Sequence, residues 1–262
     1  MESRALCSLG SRQLSIAIGQ VPLTLYFPEE PLLEKASQRY ARFLASREND
    51  DGLPIFLELG GAQARGSPHF TYTLHDSATV ALGSSLAQFQ GVQHEYALDS
   101  LLRVLLSMLL LPRDGFLLHA ATIVRKGRAY VFTGRSGAGK STVAALSPPG
   151  SVLTDEISLL RFSDGAWHAY GTPFWGEFRA EGANAKVPVA GVYALVQAPE
   201  ESVQRLSVKQ TLRALLPNVM FFASGQQQNE ELLRLLVRAA EQIPFYQLQF
   251  RRHAGFWQAV DS

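Results

Sequence analysis

The chain has 262 residues, 47% of them hydrophobic and 18% charged, with Lys+Arg 24 against Asp+Glu 23 for a formal net charge of +1. That is the composition of a folded protein with room for one large domain or two smaller ones, and it argues against disorder over most of the length. So even a balance gives no general electrostatic case for nucleic acid or an anionic membrane surface, and neither is expected as a partner.

A single cysteine, Cys7, excludes an intramolecular disulfide and a cysteine-rich metal site. The start, MESRALCSLGSRQ, lacks the apolar core of a secretory signal and has Glu2 early, so the expected compartment is cytoplasmic. The greasiest stretch, LLRVLLSMLLL at 101–111, is much shorter than the ~20 apolar residues a bilayer span needs.

In chain order, LSIAIG, LPIFLELGG and HFTYTLHD read as strands. In the third, Phe70, Tyr72 and Leu74 alternate with Thr71, Thr73 and His75. Between the first two, PLLEKASQRYARFLASRE sets Leu33, Ala36, Tyr40, Phe43 and Leu44 at helical spacing, which predicts a helix over one sheet face. Residues 1–97 thus read as a small α+β domain. It has no catalytic motif, and its histidines, His69, His75 and His94, lack metal-ligand spacing. Asp99 is placed to cap a helix running through Leu111, with Leu98, Leu101, Leu102, Leu105, Met108 and Leu109 as its apolar face and PRDG as its stop. This helix opens the second part, 98–262.

From Phe116 the punctuation becomes that of an α/β domain. ISLLRF and AWHAYG, joined by Asp164 and Gly165, predict a hairpin, and AGVYALVQA predicts a strand. A helix is expected from Ser207 towards Pro217. A second has Asn229 as its cap, Glu230 and Glu231 in its first turn and Pro244 closing it, with QQQ at 226–228 as loop; FYQLQF is a last strand.

Chemistry concentrates between 119 and 179. Gly134, Gly139, Lys140 and Ser141 fit G-x-x-x-x-G-K-[ST], between a strand (RAYVF) and a helix start (KSTVAAL). In that pattern backbone N–H groups close around phosphate oxygens, the lysine reaches the β- and γ-phosphates, and the hydroxyl binds magnesium. RKGR looks like a tight turn at Lys126 and Gly127, so LLHAATIV and AYVFTG pair as a hairpin. Val124 then faces Ala129, and the same register sets His119 opposite Gly134. A core histidine with a satisfied ring is the alternative to a functional one. SVLTDE ends a short strand in Asp155 and Glu156, where one acid could hold magnesium and the other take a proton from an attacking hydroxyl. In GTPFWGEFRAEG, Glu177 suits a second metal contact and Arg179 a charge-stabilising role, unless the loop simply packs over the core.

Taken together, LLHAA, GRSGAGKST, LTDE, GTPFWGEF and the closing FYQLQFRRHAGFW resemble the HPr kinase/phosphorylase group of serine kinases. They are more similar still to the HPr-kinase-like proteins found with peptide-modifying biosynthetic systems. The resemblance covers 98–262 and is strongest over 116–178. It implies an α/β P-loop kinase domain of the HPr kinase/phosphoenolpyruvate carboxykinase type with a mixed sheet, preceded by the smaller domain. It implies ATP on the loop Gly134, Arg135, Ser136, Gly137, Ala138, Gly139, Lys140, Ser141 and Thr142. Mg2+ would be held by Ser141, Asp155 and Glu177, with His119, Asp155, Glu156, Lys140 and Arg179 at the active site. The implied acceptor is a serine-type hydroxyl of a peptide or protein, such as a biosynthetic precursor peptide. Because the N-terminal domain, 1–97, has no catalytic motif, it is expected to serve as a docking surface for that acceptor, and a homo-oligomer is a further expectation. The chain departs from the group in having Glu156 where HPr kinases carry a second aspartate, Thr142 where they have glutamate, and no segment for docking the HPr carrier, so HPr is not the expected acceptor. A nucleotide-sensing module without transfer and a small-molecule kinase are the other readings of the same site.

Overall fold

The computed structural model describes residues 12–45, 53–58, 70–74, 78–82, 87–90, 95–176, 182–222 and 225–261. The chain divides into two compact units, Met1–Leu106 and Ser107–Ser262. No helix among the described residues is long and apolar enough to cross a membrane.

In the first unit, β1 (Gln13–Ile18) and β2 (Val21–Tyr26) form an antiparallel hairpin whose turn residues, Gly19 and Gln20, both have positive φ. Next come α1 (Glu30–Arg39), with Pro31 in its first turn, and a 3-10 turn at Ala41–Phe43. The remaining strands are β3 (Leu53–Glu58), β4 (Phe70–Leu74), β5 (Ala78–Leu82) and β6 (Ala87–Gln90). They join in the order β1-β2-β3-β6-β5-β4, parallel at β2–β3 and β3–β6 and antiparallel elsewhere. The sequence reading found three of these six. It passed over β2 because Pro22 demotes a strand and Gly-Gln is not a strong hairpin signal, and β5 and β6 because each is too short to show a period.

α2 (Glu95–Leu109) starts before Asp99, so Asp99 is not its cap. Asp99 sits in the second turn, 5% exposed, paired with the Arg39 guanidinium and accepting a 2.7 Å hydrogen bond from the Tyr40 hydroxyl. A carboxylate with two such partners is better satisfied here than at a helix end, where it would meet only backbone N–H. Burial, then the Asp99 charge, pushes the Tyr40 hydroxyl well above its usual pKa. The helix stops as the sequence predicts: a 3-10 turn at Leu111–Arg113 leads into Asp114, which is left-handed at φ 55°.

The second unit is built on β7 (Gly115–Arg125) and β8 (Arg128–Thr133), then α3 (Lys140–Ala145). β9 (Val152–Thr154), β10 (Ile157–Ser163), β11 (Ala166–Tyr170), β12 (Lys186–Gln197) and β13 (Ser202–Arg205) follow. The chain ends with α4 (Val208–Leu215), β14 (Val219–Met220), α5 (Gln226–Gln242), β15 (Phe245–Phe250) and α6 (Phe256–Asp261). The main path of the sheet is β11-β10-β7-β8-β12-β15-β13, with β9 and β14 on β7; β11 also pairs with β12, which closes β11, β10, β7, β8 and β12 into a ring. The sheet is mixed: β12 is parallel to β8 and β15, and β7 is antiparallel to β8 and β10.

Period-two alternation gives this sheet two buried faces. Phe116, Leu118, Ala120 and Val131 face one core with Leu215 of α4 and Leu236 and Ala239 of α5. Ile123, Phe132 and Leu248 face the other, with Val143 of α3 and Phe256 and Trp257 of α6. Both predicted two-residue hairpins are present: Lys126 and Gly127, like Asp164 and Gly165, have the positive φ pair of a type I′ turn. Ser207 caps α4 in a capping box with Gln210. α5 differs from the sequence reading. It starts at Gln226 behind Gly225, so QQQ is helix and Asn229 lies inside its first turn, with its N–H on the Gly225 carbonyl at 3.0 Å. Glutamine is a good helix former, and Gln226 and Gln227 donate to Glu230 and Glu231 one turn on, at 3.0 and 2.9 Å.

Candidate functional site

The site forms where β7 changes neighbours. Along one side of β7, β10 pairs with residues up to His119 (His119↔Ile157) and β9 takes over at Thr122↔Thr154. The two-residue link between them is Asp155-Glu156. Along the other side β8 pairs as far as Ala120↔Thr133, and β14 takes over at Leu118↔Val219. His119 stands in that gap. The ladder ends one pair short of the His119–Gly134 pairing read from the sequence, and a side chain completes it: Thr133 Oγ1 donates to the His119 carbonyl at 3.0 Å. β8 has left the sheet through the glycine-rich loop, so the loop emerges beside this half-buried histidine.

The loop between β8 and α3 depends on glycine where it approaches the sheet. Gly139 has φ 113°, and a Cβ there would lie 2.5 Å from the Phe250 ring at the end of β15. From the far side, Gln197 Nε2 donates to the Gly137 carbonyl at 2.7 Å. Lys140, the first residue of α3, is 7% exposed, and its Nζ donates to the carbonyls of Gly134 (2.8 Å) and Arg135 (3.2 Å). Burial lowers its pKa, and the charge of Glu156 partly offsets that.

Asp155 is 3% exposed, and both its carboxylate oxygens accept from the Gly176 N–H at 3.1 Å. Glu156 is half-buried, and its carbonyl accepts from Ala120 N–H at 2.9 Å. Beneath the acidic link lies a buried hydroxyl network. Ser158 Oγ meets Thr122 Oγ1 at 2.7 Å and Thr154 Oγ1 at 2.9 Å, and donates to the Ala120 carbonyl at 3.0 Å. Every hydroxyl of that network has a partner, so β7, β9 and β10 are fixed to one another directly under the two acids.

These groups line one cleft of ≈ 400 Å³. Its walls bring together His119, Asp155, Glu156 and Gly176, the loop residues Ser136, Gly137, Gly139, Lys140, Ser141 and Thr142, and Arg252. Gly134, Arg135 and Ala138 are not part of the lining; Ala138 packs against the second core and the first two supply the carbonyls that hold Lys140. Glu177 and Arg179 lie outside the described residues, although their neighbour Gly176 is at the cleft wall. Two lining residues, Gly176 and Arg252, carry no role in the sequence reading. Arg252 follows β15 by two positions, inside the FYQLQFRRHAGFW stretch that contributes to the family resemblance, but no local pattern there assigns it a role. Among the described residues no group of three His, Cys, Asp or Glu could hold a metal by itself. The Ser141 hydroxyl and the Asp155 carboxylate nevertheless put hard oxygen donors in one cleft, the donor type Mg2+ takes when phosphate and water complete its shell.

No curated protein matches the chain. Among solved structures, the Hpr(Ser) kinase/phosphatase from Coxiella burnetii aligns at 17% identity over 48% of this chain and 90% of its own, with a TM-score of 0.27. Residues 98–262 match the family model of the SynChlorMet cassette protein ScmC, a span that contains every residue lining the cleft. The chain therefore belongs to the ScmC family of SynChlorMet cassette proteins.

Proposed function

We propose that this protein is an ATP- and magnesium-dependent kinase that phosphorylates a serine-type hydroxyl of a peptide or protein acceptor. One observation carries the reading: a G-x-x-x-x-G-K-S loop, a histidine and two acids, drawn from three separate stretches of chain, line one cleft. Nucleotide binding alone asks for the loop but not for His119 or the acids.

In this reading the loop N–H groups cradle the β- and γ-phosphates, and Lys140 exchanges its two loop carbonyls for phosphate oxygens. Ser141 and Asp155 would hold Mg2+, which supplies charge neutralisation across the phosphates when bound. The two acids differ in setting. Asp155 is buried and fixed by Gly176, which suits a metal ligand, whereas the half-buried Glu156 suits a base facing an incoming acceptor. Glu156 takes the acceptor proton as the acceptor oxygen bonds to the γ-phosphorus and the bridging P–O bond breaks, releasing ADP. His119 orients the transferred group. A peptide fits the resemblance to HPr-kinase-like proteins and the cassette context of the family.

The test is to incubate the full chain with Mg2+, ATP and peptides encoded in the same cassette, and to read the intact mass of every component. One phosphate added to a peptide serine is the expected result. Tight ATP binding with no transfer to any acceptor would instead leave a nucleotide sensor.

A further inference from the structure

Arg252 has no part in the mechanism above, yet it lines the same cleft. Three consecutive basic residues follow β15, and the outer two are engaged elsewhere. Arg251 pairs with Glu201 at 3.4 Å, and His253 Nδ1 accepts from the Gly255 N–H at 3.0 Å. Arg252 has no hydrogen bond or ion pair to any described residue. Its backbone is nonetheless fixed. The His253 N–H donates to the Arg251 carbonyl at 2.7 Å, a γ-turn centred on Arg252, and α6 follows at once with Phe256 fully buried. A cation held on a rigid turn over a cleft, with no ion-pair partner among the described residues, is arranged for an anionic ligand.

The strand order says which part of the ligand. The loop leaves from β8. On one side, β7 and then β10 carry the acids; on the other, β12 and then β15 carry Arg252. At ~4.8 Å per strand, the acids and Arg252 stand about 10 Å to either side of the loop, within reach of a long side chain. Phe250, two residues before Arg252, lies directly under Gly139, which ties this turn to the loop. If the transferred phosphate faces the acids, the opposite side receives the nucleoside end.

We infer that Arg252 binds the α-phosphate of the nucleotide, and so discriminates nucleotides from bare pyrophosphate. This rests on the kinase reading, in that it takes the loop to hold the β- and γ-phosphates with the γ-phosphate turned towards Asp155 and Glu156. Arg252 is a binding residue in this assignment, not one that acts on the transferred group.

The test measures equilibrium binding of ATP, ADP and pyrophosphate, each with Mg2+, to the full-length chain and to its Arg252→Ala, Arg252→Lys and Arg251→Ala variants. Arg252→Ala should weaken ATP and ADP about tenfold, a typical loss for one charge-assisted contact, while pyrophosphate changes less than about twofold. Arg252→Lys should fall between the two, because an ammonium keeps the charge and loses the fork. Arg251→Ala should bind like the wild type. Since Arg252 bonds to no described residue, its variants should unfold at the wild-type temperature. Equal loss for all three ligands would put Arg252 at the transferring end and overturn the assignment. So would no loss for any ligand, or the same loss in Arg251→Ala. If the wild type binds both ATP and pyrophosphate and only the Arg252 pattern fails, the kinase reading stands; if the wild type binds neither, both readings fall together.

Discussion

Among the described residues, the clusters around Asp99 and around Lys140 and Asp155 both bury charge, and they do so differently. In the first unit, Asp99 is closed off by side chains: the Arg39 guanidinium on one side and the Tyr40 hydroxyl on the other. In the second unit, Lys140 bonds to two backbone carbonyls and Asp155 to a backbone N–H, while both line an open cleft. A charge neutralised by a partner side chain ties elements together and has little left for a ligand. A charge that stands at an open cleft and bonds to its own loop can exchange those bonds for a ligand's. The first arrangement is architecture; the second is a site at rest.

The contrast is sharpest where each cluster loses one member. Asp155→Asn and Lys140→Met should each lower phosphoryl transfer by about 10³-fold, measured with a peptide acceptor at saturating ATP, with little change in the unfolding midpoint. Asp99→Ala should do the reverse. It leaves a buried guanidinium without its carboxylate, and should destabilise the protein by about 3–5 kcal/mol in denaturant titration. Equal stability losses in Asp155→Asn and Asp99→Ala would erase the distinction between the two clusters.

The smallest expected effect is a pH slope. Burial lowers the Lys140 pKa below its ordinary value of 10.5, so between the lowered value and 10.5 the unfolded chain binds more protons than the folded one. Stability contributed by this group therefore rises with pH across that window. Lys140→Met should flatten the slope, and so should saturating ATP, which supplies the anion that burial denies the ammonium. Chemical unfolding of the wild type and Lys140→Met, with and without ATP, would read this directly; a slope unchanged in Lys140→Met would place its origin in another group.

The sequence made some of this legible and hid the rest for physical reasons. The two I′ hairpins, the glycine-rich loop and the acidic pair were readable because each is governed by local rules: positive φ at a turn, fixed glycine spacing, or a strand that ends in acids. β13 and β14 were not, since four and two residues show no period and exist only because β15 and β7 offer them an edge. Asp99 looked like a cap because aspartate favours helix starts, and nothing local announced that Arg39 and Tyr40 would meet it across the fold. Asn229 misled for the same reason, while a glutamine run read as loop proved to be helix once its side chains had Glu230 and Glu231 to reach. Arg252 stood inside the FYQLQFRRHAGFW stretch, but nothing local gave it a role: its place at the cleft depends on β15 lying two strands from β8, a fact of topology. Glu177 and Arg179, named from the loop's chemistry, fall outside the described residues.

The gap in β7 has one more consequence. At His119 the main chain is fastened from both sides, by the pairing with Ile157 and by the Thr133 hydroxyl on its carbonyl, and neither fastening uses the imidazole. With the backbone held on both edges at this point, the sheet sets where residue 119 stands at the cleft, so a substitution there changes the group presented to a ligand more than the place from which it is presented.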